Sequence, residues 1–350
     1  MSLMGGGYLK NMLKDCGKIS HLIIIILVVL SLLIIATITS CSSASWKVKS
    51  QLNNPTQIES YDHYLYFLDN YSTIKMYDHG EIYDLMAWIP EEQEIKKGTI
   101  EDFSVVSPLK LVVLNCQYEQ GVVQESTLNL IDVEKKEIKK IFSKKKPPAL
   151  LSNYNSLDVD QKGNFYLSSA KQVLRMTPEG KENVIFDFDN LPSNQRQQDA
   201  YFSKLLVGKN DHLFVVLQNN THPPHYNDFS RVVLELNSSG DIINTYKPQD
   251  ILKTRDPWVP VLEYEDDSLF FRHAWELYRY RLSTGILQQI FDGALDEMYY
   301  WEVVDLIKTG DGEYVLLITD SDTGNCTRVW KLLKDGTPIA NFISTEVTRD

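Results

Sequence analysis

The sequence predicts an all-β protein, a six-bladed β-propeller of four-stranded antiparallel blades preceded by an N-terminal apolar signal or anchor helix. Three observations predict this fold. A short strand pattern recurs six times, a tight-turn signal follows nearly every copy, and a dense apolar run precedes each copy. Strands and tight turns that repeat with a period of about 50 residues are typical of propeller blades.

The recurring pattern is an apolar, polar, apolar triplet, which we interpret as the third strand of a blade. A glycine follows four positions after four of the triplets and five positions after one, whereas the second copy has Glu134-Lys135 instead. Glycine tolerates the positive φ that a tight turn requires. The six triplets are Ile74-Lys75-Met76, Leu128-Asn129-Leu130, Leu174-Arg175-Met176, Leu234-Glu235-Leu236, Tyr278-Arg279-Tyr280 and Trp330-Lys331-Leu332.

A hairpin is predicted upstream of each triplet. Five of its six turns contain Asp, Asn or Gly, and a continuous apolar run follows each turn. Such a run predicts a strand that is buried on both faces, as the second strand of a blade is between its neighbours. The turns are Asp62-His63, Ser107-Pro108, Lys162-Gly163, Asn210-Asp211, Asp266-Asp267 and Asp311-Gly312.

Segments such as Met176-Thr177-Pro178-Glu179-Gly180 and Leu333-Lys334-Asp335-Gly336 resemble those of six-bladed propellers of the NHL/TolB-like kind, over about residues 56–345. The resemblance implies an architecture and no particular activity, because this fold hosts many functions. The second unit departs most from the pattern, so five-plus-one or seven blades are alternatives. Trp46-Lys47-Val48-Lys49 is a candidate closing strand that would pair with the last blade.

The N-terminal segment has the features of an export signal. Residues 22–38 are apolar except for Ser31 and Thr37, and Lys10, Lys14 and Lys18 precede them. A basic segment before an apolar one keeps its positive end in the cytoplasm. We therefore expect the rest of the chain to lie on the extracytoplasmic side of the cell membrane.

The apolar run ends in Ile38-Thr39-Ser40-Cys41, which resembles the lipobox of bacterial lipoproteins. The resemblance implies cleavage before Cys41 and a lipid on its sulfur. An uncleaved single-span signal anchor is the alternative, because the run reaches the lower limit of about 17–25 residues for a membrane span. The predicted organisation is a signal or anchor at 1–41, a linker at 42–55, the propeller at 56–345 and a tail at 346–350.

One face of the propeller is the predicted ligand-binding surface. Connections between strands one and two, and between three and four, share a face that we call the turn face. The other connections share what we call the long-loop face, and long loops on a rigid scaffold are usual places for binding sites. The candidate residues on the long-loop face are Tyr118, His222, His225, Tyr226, Asp228, Arg255, Asp256, Trp258, Tyr299, Tyr300 and Trp301. An alternative for the aromatic ones is packing between blades.

Metal binding is only weakly indicated. His222 and His225 form the one close histidine pair, and Asp320 and Asp322 form an oxygen-rich group, but neither has an evident further ligand nearby in the sequence. No cofactor is therefore predicted, and binding of calcium or another divalent ion is the alternative. Cys116 and Cys326 belong to units that are not neighbours in a six-bladed ring, which favours free thiols.

These features favour a membrane-anchored binding module for a protein, peptide or glycan, with no catalytic residue assigned. Nucleic acid is an unfavourable partner because the net charge is −12. Two alternatives are a metal-assisted hydrolase or lyase resembling the gluconolactonase-like propellers and a structural subunit of an envelope complex. Common nucleophile, phosphate-binding and zinc-protease motifs are absent from the sequence.

Overall fold

A computed structural model describes residues 47–145, 154–193, 196, 200–208, 211–219, 231–254, 256, 259–293, 301–320 and 328–343. Six four-stranded antiparallel sheets follow one another along the chain, and within each sheet the strands lie in sequence order. The fold is therefore a six-bladed propeller, and the alternative blade counts are wrong. Within the described part of the chain, no helix is both long enough and apolar enough to cross a membrane.

The first three blades contain strands β1 to β12. They are β1 (Pro55–Tyr61), β2 (Tyr64–Asp69), β3 (Thr73–Asp78), β4 (Glu81–Asp84), β5 (Thr99–Ser107), β6 (Lys110–Glu119), β7 (Val122–Asp132), β8 (Glu137–Lys145), β9 (Tyr154–Val159), β10 (Phe165–Ser169), β11 (Gln172–Met176) and β12 (Glu182–Asp187). A short helix, α1 (Glu94–Lys97), lies between the first two blades, and a 3₁₀ turn (Phe188–Asn190) follows the third.

The last three blades contain strands β13 to β24. They are β13 (Ala200–Val207), β14 (Leu213–Asn219), β15 (Arg231–Leu236), β16 (Ile242–Tyr246), β17 (Val261–Glu265), β18 (Ser268–His273), β19 (Glu276–Arg281), β20 (Ile286–Asp292), β21 (Trp301–Lys308), β22 (Tyr314–Asp320), β23 (Arg328–Leu332) and β24 (Pro338–Ile343). A helix of one turn, α2 (Pro248–Leu252), connects the fourth blade to the fifth.

All six triplets lie in third strands, as predicted. The glycines that follow them have positive φ, for example 90° at Gly240 and 87° at Gly336. In the second blade Lys136 takes this conformation with φ 55°, so a non-glycine residue makes the turn whose glycine the pattern lacked. The described turn residues Asp62, Gly163, Asp211, Asp266 and Gly312 also have positive φ.

The core lies between neighbouring blades and consists mainly of second-strand side chains. One such group, between the first and sixth blades, contains the buried residues Leu52, Phe67, Leu317 and Val329. Every residue of β10 is buried, whereas β20, at the outer edge of its blade, is largely exposed. Cys116 is a buried free thiol in β6, and Cys326 lies outside the described residues.

Two expectations about connections are wrong. The connections on the long-loop face are not all long: after Tyr118, β6 and β7 continue to a two-residue turn at Gln120-Gly121. The second and third strands are also joined by short connections in the first, third and fifth blades. The segment proposed to pair with the last blade instead pairs with the first, since Lys49 forms a bridge with Tyr83 of β4.

No strand is shared between the two ends of the ring. The first and sixth blades are joined by side chains: Asp305 accepts a hydrogen bond from the Ile58 amide at 3.0 Å, and the Ser60 hydroxyl donates one to the Lys308 carbonyl at 3.4 Å. The rings of Tyr77 and Phe342 pack edge to face at 5.7 Å. Ring closure therefore depends on polar joints near the axis and apolar packing further out.

Candidate binding site in the central channel

The six first strands surround a central cavity of about 430 Å³. Residues from β1, β5, β9, β13, β17 and β21 all line it, and Tyr71, from the connection between β2 and β3, also borders it. Tyr71 has φ 53° and is 51% exposed. A positive φ is uncommon for a bulky residue, so the fold holds this ring in a costly conformation at the long-loop end of the channel.

A β-bulge or register shift occurs early in each inner hairpin, and the polar residue that follows it takes an equivalent position in every blade. Bulges re-aim side chains next to functional sites. Two further carboxylates, Glu59 and Asp158, lie two residues later on their strands and thus on the same side of the strand. The equivalent residues are Gln57, Asp102, Ser156, Lys204, Glu263 and Asp305.

Three aspartates of this ring connect adjacent blades through backbone amides. Asp102 accepts a hydrogen bond from Leu157 N at 2.7 Å, Asp158 accepts one from Val207 N at 2.6 Å, and Asp305 accepts one from Ile58 N. Each bond runs from a carboxylate on one first strand to the first strand of the next blade. A carboxylate bound to a buried N–H forms a strong charge-assisted hydrogen bond, so these three residues join blades.

Uncharged and cationic members of the ring make similar connections. The Gln57 amide donates to the Phe103 carbonyl at 3.1 Å, and the Ser156 hydroxyl accepts from Leu205 N at 3.1 Å. Lys204 donates to the Leu262 carbonyl, and its ammonium lies 3.8 Å from the Asp305 carboxylate. Burial alone would lower the pKa of Lys204, but Asp305, Glu263 and Asp102 outweigh it and raise that pKa.

Glu59 and Glu263 make no such connection within the part of the chain that the structure describes. The Glu263 carboxylate accepts a hydrogen bond from its neighbour Tyr264 N at 2.8 Å, and the Glu59 carboxylate forms no hydrogen bond to a described residue. Burial raises the pKa of Glu263 to about 8. Burial, and then the charge of Asp158 and other channel carboxylates, raises the pKa of Glu59 well above its usual range.

Burial also raises the pKa of Asp102 to about 7 and that of Asp158 to about 6, although their backbone hydrogen bonds oppose this effect. The same cause raises the pKa of Asp305. These five of the channel carboxylates therefore hold their protons more tightly than exposed carboxylates do, and they share the channel with one ammonium. Such a channel favours a positively charged ligand, because the ligand would reduce the mutual repulsion of the carboxylates.

The spacing of the channel carboxylates bears on what kind of cation they suit. Among the described residues, only His63, Asp78 and His79 bring three His, Cys, Asp or Glu ligand atoms within 4.8 Å of one another. The channel carboxylates are more widely spread than this. The arrangement suits an extended organic cation better than an ion held directly by three of these side chains.

Few of the candidates on the long-loop face can be placed. The Tyr118 hydroxyl donates to Glu101 at 2.6 Å, and Glu101 lines the channel. Asp256 lies close enough to Arg231 for its charge to oppose the lowering of the Arg231 pKa by burial. Trp301 and Asp320 pair with each other at the ends of β21 and β22. Residues that lie outside the described part of the chain are Cys41, His222, His225, Tyr226, Asp228, Arg255, Trp258, Tyr299, Tyr300 and Asp322.

Sequence reasoning missed the channel residues. A signal was present, since each first strand carries a charged residue within an apolar setting, as in Leu262-Glu263-Tyr264 and Val304-Asp305-Leu306. The prediction was directed to the loops, where binding sites are common, and not to these strands.

No protein-family model and no curated protein sequence matches this chain. Solved structures do. The extracellular domain of a protein assigned to a one-component system in B. thetaiotaomicron aligns at 10% identity with a TM-score of 0.50, covering 85% of this chain and 35% of that one. The tricorn protease aligns at 15% identity with a TM-score of 0.51, covering 87% of this chain and 27% of that one.

A third structure, from Thermus thermophilus and described as an oxidoreductase of the glucose dehydrogenase type, aligns at 13% identity with a TM-score of 0.48, covering 82% of this chain and 98% of that one. This chain thus spans about a third or less of the length of the first two structures. At these identities the likeness shows the fold alone and nothing of activity. The first of these structures is an extracellular domain.

Proposed function

We propose that this protein is a membrane-anchored, extracytoplasmic binding module whose central channel takes a cationic group from a peptide or protein ligand. One observation carries the proposal: the channel lining contains seven carboxylates, five of them with raised pKa values, and one ammonium. A half-buried carboxylate such as that of Glu59, which forms no hydrogen bond to a described residue, needs a reason other than joining blades to be there.

Stability alone does not account for Glu59 and Glu263. Their raised pKa values mean that folding disfavours their charged forms, so each ionised glutamate makes the folded state less stable at neutral pH. Residues that reduce stability are often found where a protein binds or reacts. A bound cation would offset this cost.

The chemistry of the channel favours a protonated amine or guanidinium. Its volume of about 430 Å³ lies within the range of about 300–1,000 Å³ that is usual for ligand sites. A lysine or arginine side chain could bring its charge to the carboxylates, and the exposed ring of Tyr71 could contact the cation face-on. A glycan, the third ligand class considered, carries no positive charge in its common forms. The described residues of the channel offer no comparable observation in favour of a metal-assisted hydrolase or a structural subunit.

Anchorage forms part of the proposal and is supported by the sequence motif that ends at Cys41. Lipidation at Cys41 would hold the propeller at the outer side of the cell membrane. Cys41→Ser should abolish incorporation of labelled palmitate in a bacterial host, with Cys116→Ser as the control. Unchanged labelling of Cys41→Ser would reject the lipid anchor, and the absence of label from wild type, with the protein in the membrane fraction, would support the single-span alternative.

Ligand binding can be tested on the full chain in detergent with a fluorescein-labelled triarginine peptide, measured by anisotropy at pH 7.5. The matched probe is tricitrulline, which has nearly the same shape without the charge. We expect triarginine to bind and tricitrulline not to bind. Glu59→Gln should weaken triarginine binding by at least about tenfold, or about 1.4 kcal/mol.

Glu137→Gln is the control variant, because Glu137 is an exposed residue of β8 and the same substitution is made there, away from the channel. The proposal fails if tricitrulline binds as well as triarginine, or if Glu59→Gln and Glu137→Gln have the same effect. Tyr71→Ala should weaken binding less than Glu59→Gln, since an exposed cation–π contact contributes only about 0.5–1 kcal/mol.

A further inference from the structure

Two turns of the first blade lie side by side on the turn face, away from the bulges of the channel. One joins β1 to β2 and contains Asp62 and His63, and the other joins β3 to β4 and contains His79. Asp78, the last residue of β3, lies between the two histidines. From this arrangement we propose that His63, Asp78 and His79 form a surface site for a divalent transition metal of the zinc class.

The ligand atoms surround a common point. His63 Nε2 lies 4.0 Å from Asp78 Oδ1, and His79 Nε2 lies 3.7 Å from the same oxygen. All three ligand atoms lie within 4.8 Å of one another. Tetrahedral zinc with bonds of about 2.0–2.2 Å places its ligands about 3.3 Å apart, so each of the two measured separations needs to close by less than about 1 Å.

The two histidines are too far from Asp78 Oδ1 to donate direct hydrogen bonds to it. Separations of 3.7 and 4.0 Å exceed the limit for a hydrogen bond between these groups. An ion between them would bring each imidazole and the carboxylate into bonding contact. Asp78 suits this role because its side chain is only 16% exposed and therefore has little freedom to turn away.

His63 is already oriented for such a role. Its Nδ1 lies 3.2 Å from the Asp62 carboxylate, which leaves Nε2 directed at Asp78. Histidines that bind metals almost always use their other ring nitrogen in a hydrogen bond of this type. The His63 ring also packs 4.0 Å from Tyr64 and stacks 5.2 Å from His79 at an interplanar angle of 25°. Because an imidazole binds a metal in its ring plane, the His79 ring, 83% exposed, must turn out of this stack to share the ion.

The ligand set identifies the class of metal. Two imidazoles and one carboxylate suit zinc, cobalt, nickel or copper, whereas calcium and magnesium prefer oxygen ligands throughout. Three protein ligands leave one tetrahedral position open for water or another ligand. Asp62 and His63 also border a crevice of about 340 Å³ between the first and sixth blades, so a molecule in that crevice could reach the ion.

The test uses the untagged full chain in detergent, stripped with EDTA and then freed of chelator. We expect titration calorimetry to show one Zn²⁺ per chain, and Mg²⁺ not to compete. His63→Ala and His79→Ala should each weaken Zn²⁺ binding by about 100-fold or more, and Asp62→Asn, which removes only an orienting contact, by about tenfold. Visible absorption of bound Co²⁺, which reports tetrahedral coordination, should disappear in His79→Ala.

The matched control is the double variant His222→Ala/His225→Ala, because these residues form the close histidine pair seen in the sequence. It should bind Zn²⁺ as wild type does. The site is overturned if wild type takes up no Zn²⁺, or if binding survives both His63→Ala and His79→Ala; loss of binding in the control would then assign the ion to His222 and His225. Circular dichroism of each variant will confirm folding, which we expect to be retained because both histidines are largely exposed.

Discussion

The aspartates and the glutamates of the channel have the same charged group but different hydrogen-bond partners. Asp102, Asp158 and Asp305 each accept a hydrogen bond from a backbone amide of the next blade. Glu59 and Glu263, one methylene longer, make no bond of that kind to a described residue. The shorter side chain is associated with joining blades, and the longer one leaves its carboxylate available to the channel.

This difference shows that counting charges does not locate a binding site. All five carboxylates line the same channel and all have raised pKa values, although only Asp102 and Asp305 are buried. They differ in whether they accept a hydrogen bond from a backbone N–H of the next blade. A carboxylate that satisfies a buried amide is part of the scaffold, because its loss leaves that amide unpaired.

The largest expected effect compares Asp305→Ala with Glu59→Ala. Removal of Asp305 leaves the buried Ile58 N–H unpaired at the joint that closes the ring, and we expect the free energy of unfolding to fall by about 2–3 kcal/mol. Glu59→Ala should cause no loss at pH 8, or a small gain from reduced repulsion. Urea unfolding of the two full-length variants measures both values, and equal losses would show that the two classes are not distinct.

The free energy of unfolding should depend on pH. Glu263 has a folded pKa of about 8 against about 4.3 when unfolded, so between these values the folded state binds more protons. Stability should therefore decrease as pH rises from about 4 to about 8. Because solvent reaches the channel, we expect the contribution of one carboxylate to be on the order of 1 kcal/mol.

Two variants separate the classes in this pH experiment. Glu263→Gln should flatten the decrease up to pH 8, whereas Asp158→Asn should alter it mainly below pH 6, because the folded pKa of Asp158 is about 6. Urea midpoints at pH 5, 6, 7 and 8 provide the comparison. A wild-type stability that increases across this range would contradict the assigned direction of the pKa shifts.

The smallest expected effect tests side-chain length. Glu59→Asp keeps the charge but withdraws the carboxylate by one methylene, so triarginine binding should weaken by a few fold, less than in Glu59→Gln. Stability should stay within about 0.5 kcal/mol of wild type, as for other substitutions that break no hydrogen bond. A full loss of binding in Glu59→Asp would show that the position of this carboxylate matters more than its charge.

The sequence predicted the architecture well because each blade repeats its own local signals. The triplets fell in third strands, and the turns that follow them have the positive φ that glycine signals, as at Gly240. The second blade looked irregular only because Lys136 takes the conformation that glycine takes elsewhere. Local backbone preferences are visible in a single sequence.

The candidate site was harder to predict because it depends on register between distant strands. Asp102 follows Glu101 in the sequence, yet a bulge separates them, so that Asp102 meets the third blade and Glu101 meets Tyr118. Sequence alone gives neither the bulge nor the partner. The connection after Tyr118 is short for a related reason, since β6 and β7 extend by pairing with each other as far as Glu119 and Val122.

The way the ring closes bears on how the chain could be rearranged. Each sheet contains four consecutive strands, and no sheet combines strands from the two ends of the chain. A circular permutant that joins the last blade to the first and opens between two other blades would keep all six sheets whole. A covalent linker would then span the junction of the sixth and first blades, where Asp305 bonds to Ile58. The new termini would lie between two blades that the present chain connects covalently.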